Sequence, residues 1–556
     1  MHQPDTQPRH SIYYDYKVYP AAPKPAAGAG QAKVLIVGAG PIGLALALDL
    51  ARQGVPCVLL ESEQQVSLGS RAIVFTRRSM EILQQVGGDK AITAQGLPWR
   101  FGNSFFGGHK VFRMEAPYSE DDRFFPMINL QQQYMEEALV DLVAKQPLID
   151  MRWGHKVTAV HARDDGVTLI VDTPEGEYPQ DCAWVVACDG ARSSIRQFQG
   201  LQMEGDSYEG RFVIADIRVD LPLPTERLAF FDPVWNPGNT VLMHREPHGI
   251  WRVDYQLPPG ETPEEALKPE SLKARIDAQL ELVGAKGAKW EMDWSSVYSA
   301  RAMTLPDYVN GRVVYCGDAA HMLPIFGVRG ANTGWQDGQN LAWKLAAVVK
   351  GQADGKLLAT YSQERVGAAR EIVDEAGKST RFMTPPTHGF RLLRDATLSL
   401  AITEAFVRPL LHWRTSRPHE YVQSSLNSPE DDNSLFAAGP PDGAVMQNVR
   451  LGEDSYLMDW QISTFSLLYF VNDATVPAAL EKVAQEWRSR GVDLNLVTVG
   501  KGGAVNDPQG LVWAKYGARH AGAAYLVRPD QHVCARWLSV TPHRLDAALR
   551  RALALA

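Results

Sequence analysis

Residues 33–61 read KVLIVGAGPIGLALALDLARQGVPCVLLE, and this stretch decides the fold. Val34 to Val37 is a short apolar run of the kind a parallel strand buries on both faces. It enters Gly38-Ala39-Gly40-Pro41-Ile42-Gly43, a G-x-G-x-x-G turn. The first glycine permits the tight turn, the second lets backbone approach a pyrophosphate, and the third lets helix pack on strand. Pro41 suits the first helical turn, where a missing N–H costs nothing. The helix carries Leu44, Leu48 and Ala51 on one face and stops at Gly54. A second strand, Val55 to Leu60, ends in Glu61, the acidic residue expected about 20 residues on to meet a ribose hydroxyl. Together these elements predict a βαβ dinucleotide site. They do not choose the dinucleotide.

Working outward, 556 residues allow two or three domains, each with its own core. With 45% hydrophobic and 22% charged residues the chain has the composition of a soluble globular protein. A net charge of −8 gives no electrostatic support for a nucleic-acid partner. No apolar run is long enough to span a bilayer. Residues 1–32 lack the apolar centre of a signal peptide and read as a Pro/Ala tail leading into the first strand. The five cysteines include no C-x-x-C pair, so buried free thiols in a reducing cytoplasm are expected.

After Glu61, Arg71 is placed to reach back over the phosphates, and a helix is expected around Ser79 to Val86. Residues 97–125 read as short strands, and the next helix has Gln132 near its start with Met135, Leu139 and Leu142 inside. A buried strand, Trp184 to Cys188, runs into Asp189-Gly190-Ala191-Arg192-Ser193-Ser194-Ile195-Arg196, a second dinucleotide-facing turn in the same sheet. The third motif is Gly311 to Asn332, a strand ending in Gly317-Asp318, a Gly-rich loop, then a helix from about Thr333 to Val349. Asp318 can accept hydrogen bonds from a ribityl chain. Free N–H groups at Gly330, Ala331 and Asn332 favour the negative charge that collects on the pyrimidine edge of a reduced flavin.

Residues 205–300 alternate as strands and predict an inserted antiparallel sheet whose inner face covers a flat ligand. Trp235, His244, Trp251 and Tyr255 are candidates for that face, and His244, Arg252, Asp254 and Tyr255 for an acid, base or hydrogen-bond donor. Strand alternation sets Arg252 and Asp254 opposite Tyr255, so at most half of these line one pocket.

GAGPIG with Glu61, CDGARSSIR, and GDAAHMLPIFGVRGANTGWQDGQNLAWKL, in that order, resemble the motifs of the single-component FAD-dependent aromatic hydroxylases. This is the p-hydroxybenzoate hydroxylase and phenol hydroxylase group. The nearest branch is the 3-(3-hydroxyphenyl)propionate hydroxylases and their relatives, and the resemblance covers roughly residues 30–385. It implies that Gly38, Gly40, Pro41, Ile42, Gly43 and Glu61 meet the adenosine and pyrophosphate half of FAD. Arg71 and Gln132 would flank phosphates and ribityl chain, with Val157 beside adenine. Asp189 and Gly190 would serve both FAD and the pyridine nucleotide, Asp318 the ribityl hydroxyls, and Gly330, Ala331 and Asn332 the ring. His321 looks structural. The family's usual second proline is replaced in Pro324-Ile325, so substrate contacts near that loop do not carry over.

The implied fold is α/β plus β: a Rossmann-like FAD-binding domain at 33–204 and 301–385, with 70–125 contributing to the substrate side, and an inserted antiparallel-sheet substrate domain at 205–300. A helical connector and linker follow at 386–433, then a C-terminal thioredoxin-like domain at 434–556. Asn472-Asp473-Ala474-Thr475 holds no cysteine, so dithiol chemistry there is excluded. The implied activity is hydroxylation of a phenolic or other electron-rich aromatic by NADH or NADPH and O₂, through a flavin C4a-hydroperoxide. No metal-ligand cluster and no second G-x-G-x-x-G is present for another route. Rival readings on the same scaffold are a halogenase, whose W-x-W-x-I-P signature is not seen, a C=C reductase, or a non-catalytic flavin-binding protein. The additional C-terminal domain leads to an expected homodimer.

Overall fold

The computed structural model describes every residue except 27–29, 325, 412–416, 430–433, 473–474 and 556, and all side chains among them but those of 208, 209 and 300. Ile325, most of the linker 427–433, and Asp473-Ala474 of the cysteine-free turn therefore lie outside the described residues.

Strand Ala32–Val37 lies between Tyr178–Ala187 and Cys57–Glu61 in an eight-stranded sheet whose central strands are parallel. Val34, Leu35 and Ile36 are fully buried, as a strand covered on both faces requires. One side is covered by helices Pro41–Arg52 and Gly330–Val349, which pack together so closely that Gly334 meets the Ile42 side chain. Register decides where the three turns fall. Val37 pairs with Ala187 and Ala187 with Tyr315, so the chain leaves three adjacent strands at one level. The turns at Gly38, Asp189 and Gly317 consequently stand side by side at the carboxyl end of the sheet, where open α/β sheets bind ligands.

A second eight-stranded sheet is built on Glu204–Arg218, Arg227–Phe231, Thr240–Arg245, Ile250–Gln256 and Glu291–Thr304. Strands Phe101–Phe106 and His109–Glu115 extend one edge, the first pairing in parallel with Arg227–Phe231. One face carries Val213, Met243, Trp251, Val253 and Tyr255 and packs on Leu272, Ile276 and Leu280 of helix Pro269–Leu282. The opposite face turns toward the first sheet.

The C-terminal five-stranded sheet runs Val505–Asn506, Leu494–Gly500, Phe465–Phe470, Ala524–Val527, Val533–Trp537. The first three strands are parallel and the last two turn back as a hairpin. Leu467 and Tyr469 join one core, Leu468 and Phe470 another, as a period of two demands. The first of these cores is continuous with Trp343 and Ala347 of helix Gly330–Val349.

The N-terminal segment is not the free tail expected from its composition. Tyr14 and Tyr16 are buried, and Tyr14 meets Tyr16 and Tyr134 edge-on at 4.7 and 4.8 Å. Its aromatic rings supply the burial that prolines and alanines do not. No helix among the described residues is long and apolar enough to cross a membrane.

Candidate active site

A cavity of about 830 Å³ opens where the three turns meet the second sheet. Every residue read from the sequence as a cofactor contact except Gly43 lies in its wall. Gly43 stands behind it, where a Cβ would fall 2.0 Å from the Gly38 carbonyl oxygen. Gly38 takes φ +101°, and a Cβ there would lie 2.5 Å from the Cys188 oxygen, so glycine is required twice over. A Cβ on Gly40 would meet nothing within 4 Å, which leaves that face for a ligand. Gly40 caps its helix with no side-chain bond, and the helix Gly330–Val349 also begins without one. Both N-termini therefore keep backbone donors and positive potential for an anion.

The acidic residues hold the turns as well as facing the cavity. Glu61 accepts from Ala39 N–H at 2.8 Å and from Glu63 N–H at 3.0 Å. Asp189 accepts from Ile195 N–H at 3.1 Å through Oδ2, while Oδ1 is buried with no hydrogen-bond partner. Asp318 is open to the cavity yet enclosed by protein, and that enclosure raises its pKa. Arg196, beside the second turn, is spent on the Ala319 and Ala191 carbonyls and ties two turns together. Val157 lines the wall from strand Lys156–Ala162.

Two amides have less freedom than the sequence suggests. Gln132 accepts from Ala72 N–H at 3.0 Å and donates to Glu136 at 2.7 Å, so its amide organises the loop that carries Arg71. Asn332 accepts from Thr76 N–H at 2.9 Å and the Ser79 hydroxyl at 2.6 Å, and donates to the Val74 and Val328 carbonyls. Its side chain is a clamp that ties the helix start to Thr76 and Ser79. His321 is buried with Nε2 2.6 Å from Asp337 Oδ2, away from the cavity wall. Burial alone would raise Asp337, but Arg365 and His321 hold it below the usual carboxylate value.

Opposite the turns, one face of the second sheet supplies the remaining wall. Cross-strand partners share a face, so the row Trp294–Asp216–Arg252–His244 and the row Ser296–Ile214–Asp254–Leu242 both point inward. Tyr255, Trp251 and Trp235 do not line the cavity. They pack on or beside the helix-covered face, with Trp235 edge-on to Tyr255 at 5.6 Å, because Tyr255 is one residue out of phase with Asp254. This removes Tyr255 from the candidates for chemistry.

Among those that remain, Arg252 is already engaged. Its Nε donates to Asp216 at 3.0 Å, Nη1 to the Arg71 carbonyl at 2.6 Å, and Nη2 to Ser70, which in turn donates to Asp216. It binds the sheet to the Arg71 loop. His244 Nδ1 and Asp254 Oδ1 are buried without hydrogen-bond partners. Burial, reinforced by Arg227 and Arg252, holds His244 well below its ordinary value, so it is neutral near pH 7. Burial raises Asp254 to about 7 against the pull of Arg252. The sequence reading passed over Arg227, Trp294 and Arg9, all in the wall. Arg227 stands one residue ahead of the apolar run that marked its strand. Arg9 lies in a segment without periodicity.

Uncapped helix starts, acceptor carboxylates along the turns and open glycine faces fit an extended dinucleotide, with the inner sheet face left for a second, smaller molecule. The comparisons agree. Residues 31–376 match the model of the FAD binding domain family, a match that begins after the N-terminal segment. The chain is 30% identical over 430 residues to a 3-(3-hydroxy-phenyl)propionate/3-hydroxycinnamic acid hydroxylase of Mycobacterium sp. (strain JLS), covering 76% of this chain and 73% of that protein. It is 29% identical over 538 residues to the Escherichia coli (strain K12) hydroxylase of the same name, covering 93% and 94%. A ternary complex of aklavinone-11 hydroxylase with FAD and aklavinone superposes with a TM-score of 0.76 at 27% identity, over 95% of this chain and 100% of that one. The flavin-dependent monooxygenase PieE, solved with FAD and substrate, shares the fold at a TM-score of 0.78 and 24% identity, over 95% and 100%.

Fold and site thus define an FAD-dependent aromatic monooxygenase. The chain belongs to the FAD binding domain family.

Proposed function

We propose that the protein hydroxylates a phenolic or other electron-rich aromatic with NADH or NADPH and O₂. The observation that carries this reading is the pair of unpartnered polar atoms, His244 Nδ1 and Asp254 Oδ1, on a sheet face that lines the same cavity as the helix start at Gly330. Bound FAD supplies the redox and oxygen chemistry, and the chain supplies position, charge and dryness. Gly38, Gly40, Pro41, Ile42 and Glu61 would hold the adenosine and pyrophosphate, with Val157 beside adenine and Arg71 across the phosphates, while Gly43 would act from behind by letting helix pack on strand. Gln132 shapes the loop under Arg71. Asp318 would meet the hydroxyl-bearing chain, Asp189 and Gly190 would serve both FAD and the pyridine nucleotide, and the N–H groups of Gly330, Ala331 and Asn332 would favour negative charge on the ring.

Asp254, half ionised near pH 7, accepts the phenol proton, and neutral His244 hydrogen-bonds the same oxygen. A phenolate pushes electron density into the ring and makes it the better nucleophile. The curated relatives act on 3-(3-hydroxy-phenyl)propionate and 3-hydroxycinnamic acid, so meta-substituted phenols with a side chain are the first to try.

The domain limits given above are supported by the two eight-stranded sheets and the C-terminal five-stranded sheet, with Phe101–Phe106 and His109–Glu115 joining the second sheet from outside 205–300. For the C-terminal unit a thioredoxin-like reading is supported by the order β-α-β then β-β-α, with helix Ala478–Ser489 between the first pair and Pro542–Ala552 after the hairpin. Five buried cysteines without a disulfide support a reducing, cytoplasmic location. The homodimer is supported by an exposed apolar stretch, Leu392, Leu393, Phe406 and Leu410, and light scattering tests it.

The deciding experiment mixes FAD-loaded protein with NADH or NADPH under air and a panel of phenols, then weighs hydroxylated product against H₂O₂. Product matching nucleotide consumption for one phenol supports the reading. Peroxide alone with every phenol overturns it.

A further inference from the structure

The loop 62–70 joins Glu61 to Arg71, the two ends of the wall assigned to the adenosine and phosphate half of FAD, and forms part of the cavity itself. Glu136 accepts from the Ser67 N–H and hydroxyl at 2.7 and 2.8 Å, and many of the loop's other bonds come from residues 1–26. His2 Nε2 donates to the Ser62 carbonyl at 2.7 Å, and Tyr19 exchanges two bonds with Gln64, N–H to carbonyl at 2.7 Å and Gln64 amide to carbonyl at 2.8 Å. The Arg9 N–H donates to Gln65 Oε1 at 2.9 Å, while the Gln65 amide donates to the Gln7 carbonyl at 2.8 Å. The Arg9 guanidinium forks, one arm 2.6 Å from the Val66 carbonyl and the other 3.1 Å from the Glu63 carboxylate. The buried Tyr16 hydroxyl accepts from Gly69 N–H at 3.0 Å and donates to the Ser67 carbonyl.

The same segment is anchored on the other wall. Ser11 hydroxyl and Ile12 N–H both donate to Asp293 at 2.7 Å, one residue from Trp294 in the cavity lining, and Arg218 donates to the Ile12 carbonyl. Residues 1–26 thus form a strap fixed at both walls, with Arg9 entering the cavity between them. A surface tail of that composition would lose conformational entropy at every residue on ordering. Tyrosine burial offsets that cost, and many of the strap's bonds fall on loop 62–70.

We propose that this N-terminal strap is a working part of the cofactor site, with Arg9 and Tyr16 as positioning residues that hold loop 62–70 against FAD. The inference rests on the reading of the cavity as the FAD site. Without the strap, the loop between Glu61 and Arg71 opens, and the cofactor pays the entropy of closing it on each binding event.

The test uses the full chain. Arg9→Gln removes the fork, Arg9→Lys keeps one charged donor, and Tyr16→Phe removes one hydroxyl without changing the ring. FAD affinity is measured by flavin fluorescence on apoprotein, beside the melting temperature of the apo form and the amide exchange of residues 62–70. Arg9→Gln and Tyr16→Phe are expected to weaken FAD by about tenfold, with Arg9→Lys in between. Faster exchange should be confined to the loop. FAD affinities that stay within about twofold of wild type overturn the proposal, given that a tenfold change is about 1.4 kcal/mol. Faster exchange spread over the whole chain, with a lower melting temperature, overturns it as well. A wild-type protein that binds no FAD at all condemns the reading of the cavity instead, and that result is visible before any variant is made.

Discussion

Arg528, in the C-terminal hairpin, places Nη1 2.7 Å from Oε1 of Glu364 in helix Lys356–Met383, and both side chains are fully buried. Asp530 takes the same guanidinium through its Nε at 3.0 Å, and Lys344 Nζ lies 2.6 Å from Glu364 Oε2. Lys344 belongs to the helix whose N-terminus faces the cavity, so a buried ionic cluster joins the C-terminal sheet to that helix. Trp343 adds its indole N–H to Asp530 at 3.1 Å. Arg528→Met leaves two carboxylates in low dielectric with one cation between them. The expected loss is about 3–5 kcal/mol by chemical denaturation, because breaking a buried pair costs far more than the pair contributes. A loss under about 1 kcal/mol, typical of an exposed pair, would show that the cluster is hydrated in solution.

Acid should find the same cluster. Burial alone would raise Glu364 and Asp530, but Arg528 and its neighbours hold both below the ordinary carboxylate range. A depressed carboxylate binds its proton more readily in the unfolded chain, so it adds stability above its unfolded pKa near 4.5 or 3.8 and loses it as pH falls toward the folded value. Stability of the wild type should therefore drop below about pH 4. Glu364→Gln should flatten that part of the curve, as measured by melting between acid and neutral pH. An unchanged acid slope refutes the assignment.

The three turns were legible because each is a local pattern: glycine where φ or contact demands it, a buried run before it, a helix after. Their convergence needed only the idea that one dinucleotide touches all three, and the pairing of Val37, Ala187 and Tyr315 satisfies that idea. Alternation also told correctly that Arg252 and Asp254 oppose Tyr255. It did not tell which face lines the cavity and which packs on helix Pro269–Leu282. Partners distant in sequence were invisible. The Asn332 amide's hold on Thr76 and Ser79 joins residues over 250 positions apart, and the strap reads as a tail until Tyr16 meets Gly69.

The glycines of the first turn separate folding from binding. A Cβ on Gly43 would stand 2.0 Å from the Gly38 oxygen, whereas one on Gly40 would touch no protein atom within 4 Å. Gly43→Ala must push helix from strand, at a cost of about 1–3 kcal/mol or more in the apo protein. Gly40→Ala should leave the apo melting temperature near wild type and weaken FAD by at least about tenfold, since the methyl occupies the approach of the pyrophosphate. Melting curves of the apo forms and FAD titrations distinguish the two. Equal effects of both substitutions on the apo fold would mean that Gly40 is held by packing, not by the ligand.

Asp254 carries the most exposed claim about chemistry. Its carboxyl is raised to about 7 by burial, so the base form is scarce at pH 5 and dominant at pH 9. A free phenol has a pKa near 10 and is protonated across that range. If Asp254 takes the phenol proton, kcat for hydroxylation climbs with pH through about 7 and then levels. Asp254→Asn keeps the shape and loses the basicity, so kcat should fall by about 10²-fold, within the usual range for a general base, and the climb near neutrality should disappear. FAD affinity should stay at the wild-type value, because Asp254 lies on the sheet and not on the turns. Nucleotide oxidation should continue with more of it ending as H₂O₂, since reduction of the cofactor does not need the phenolate. His244→Gln retains a hydrogen-bonding group beside the same oxygen and should keep the pH dependence at a lower rate. An Asp254→Asn protein with the wild-type pH profile would mean that the substrate arrives already ionised or loses its proton elsewhere, and the inner-face assignment would have to move to another residue of the cavity.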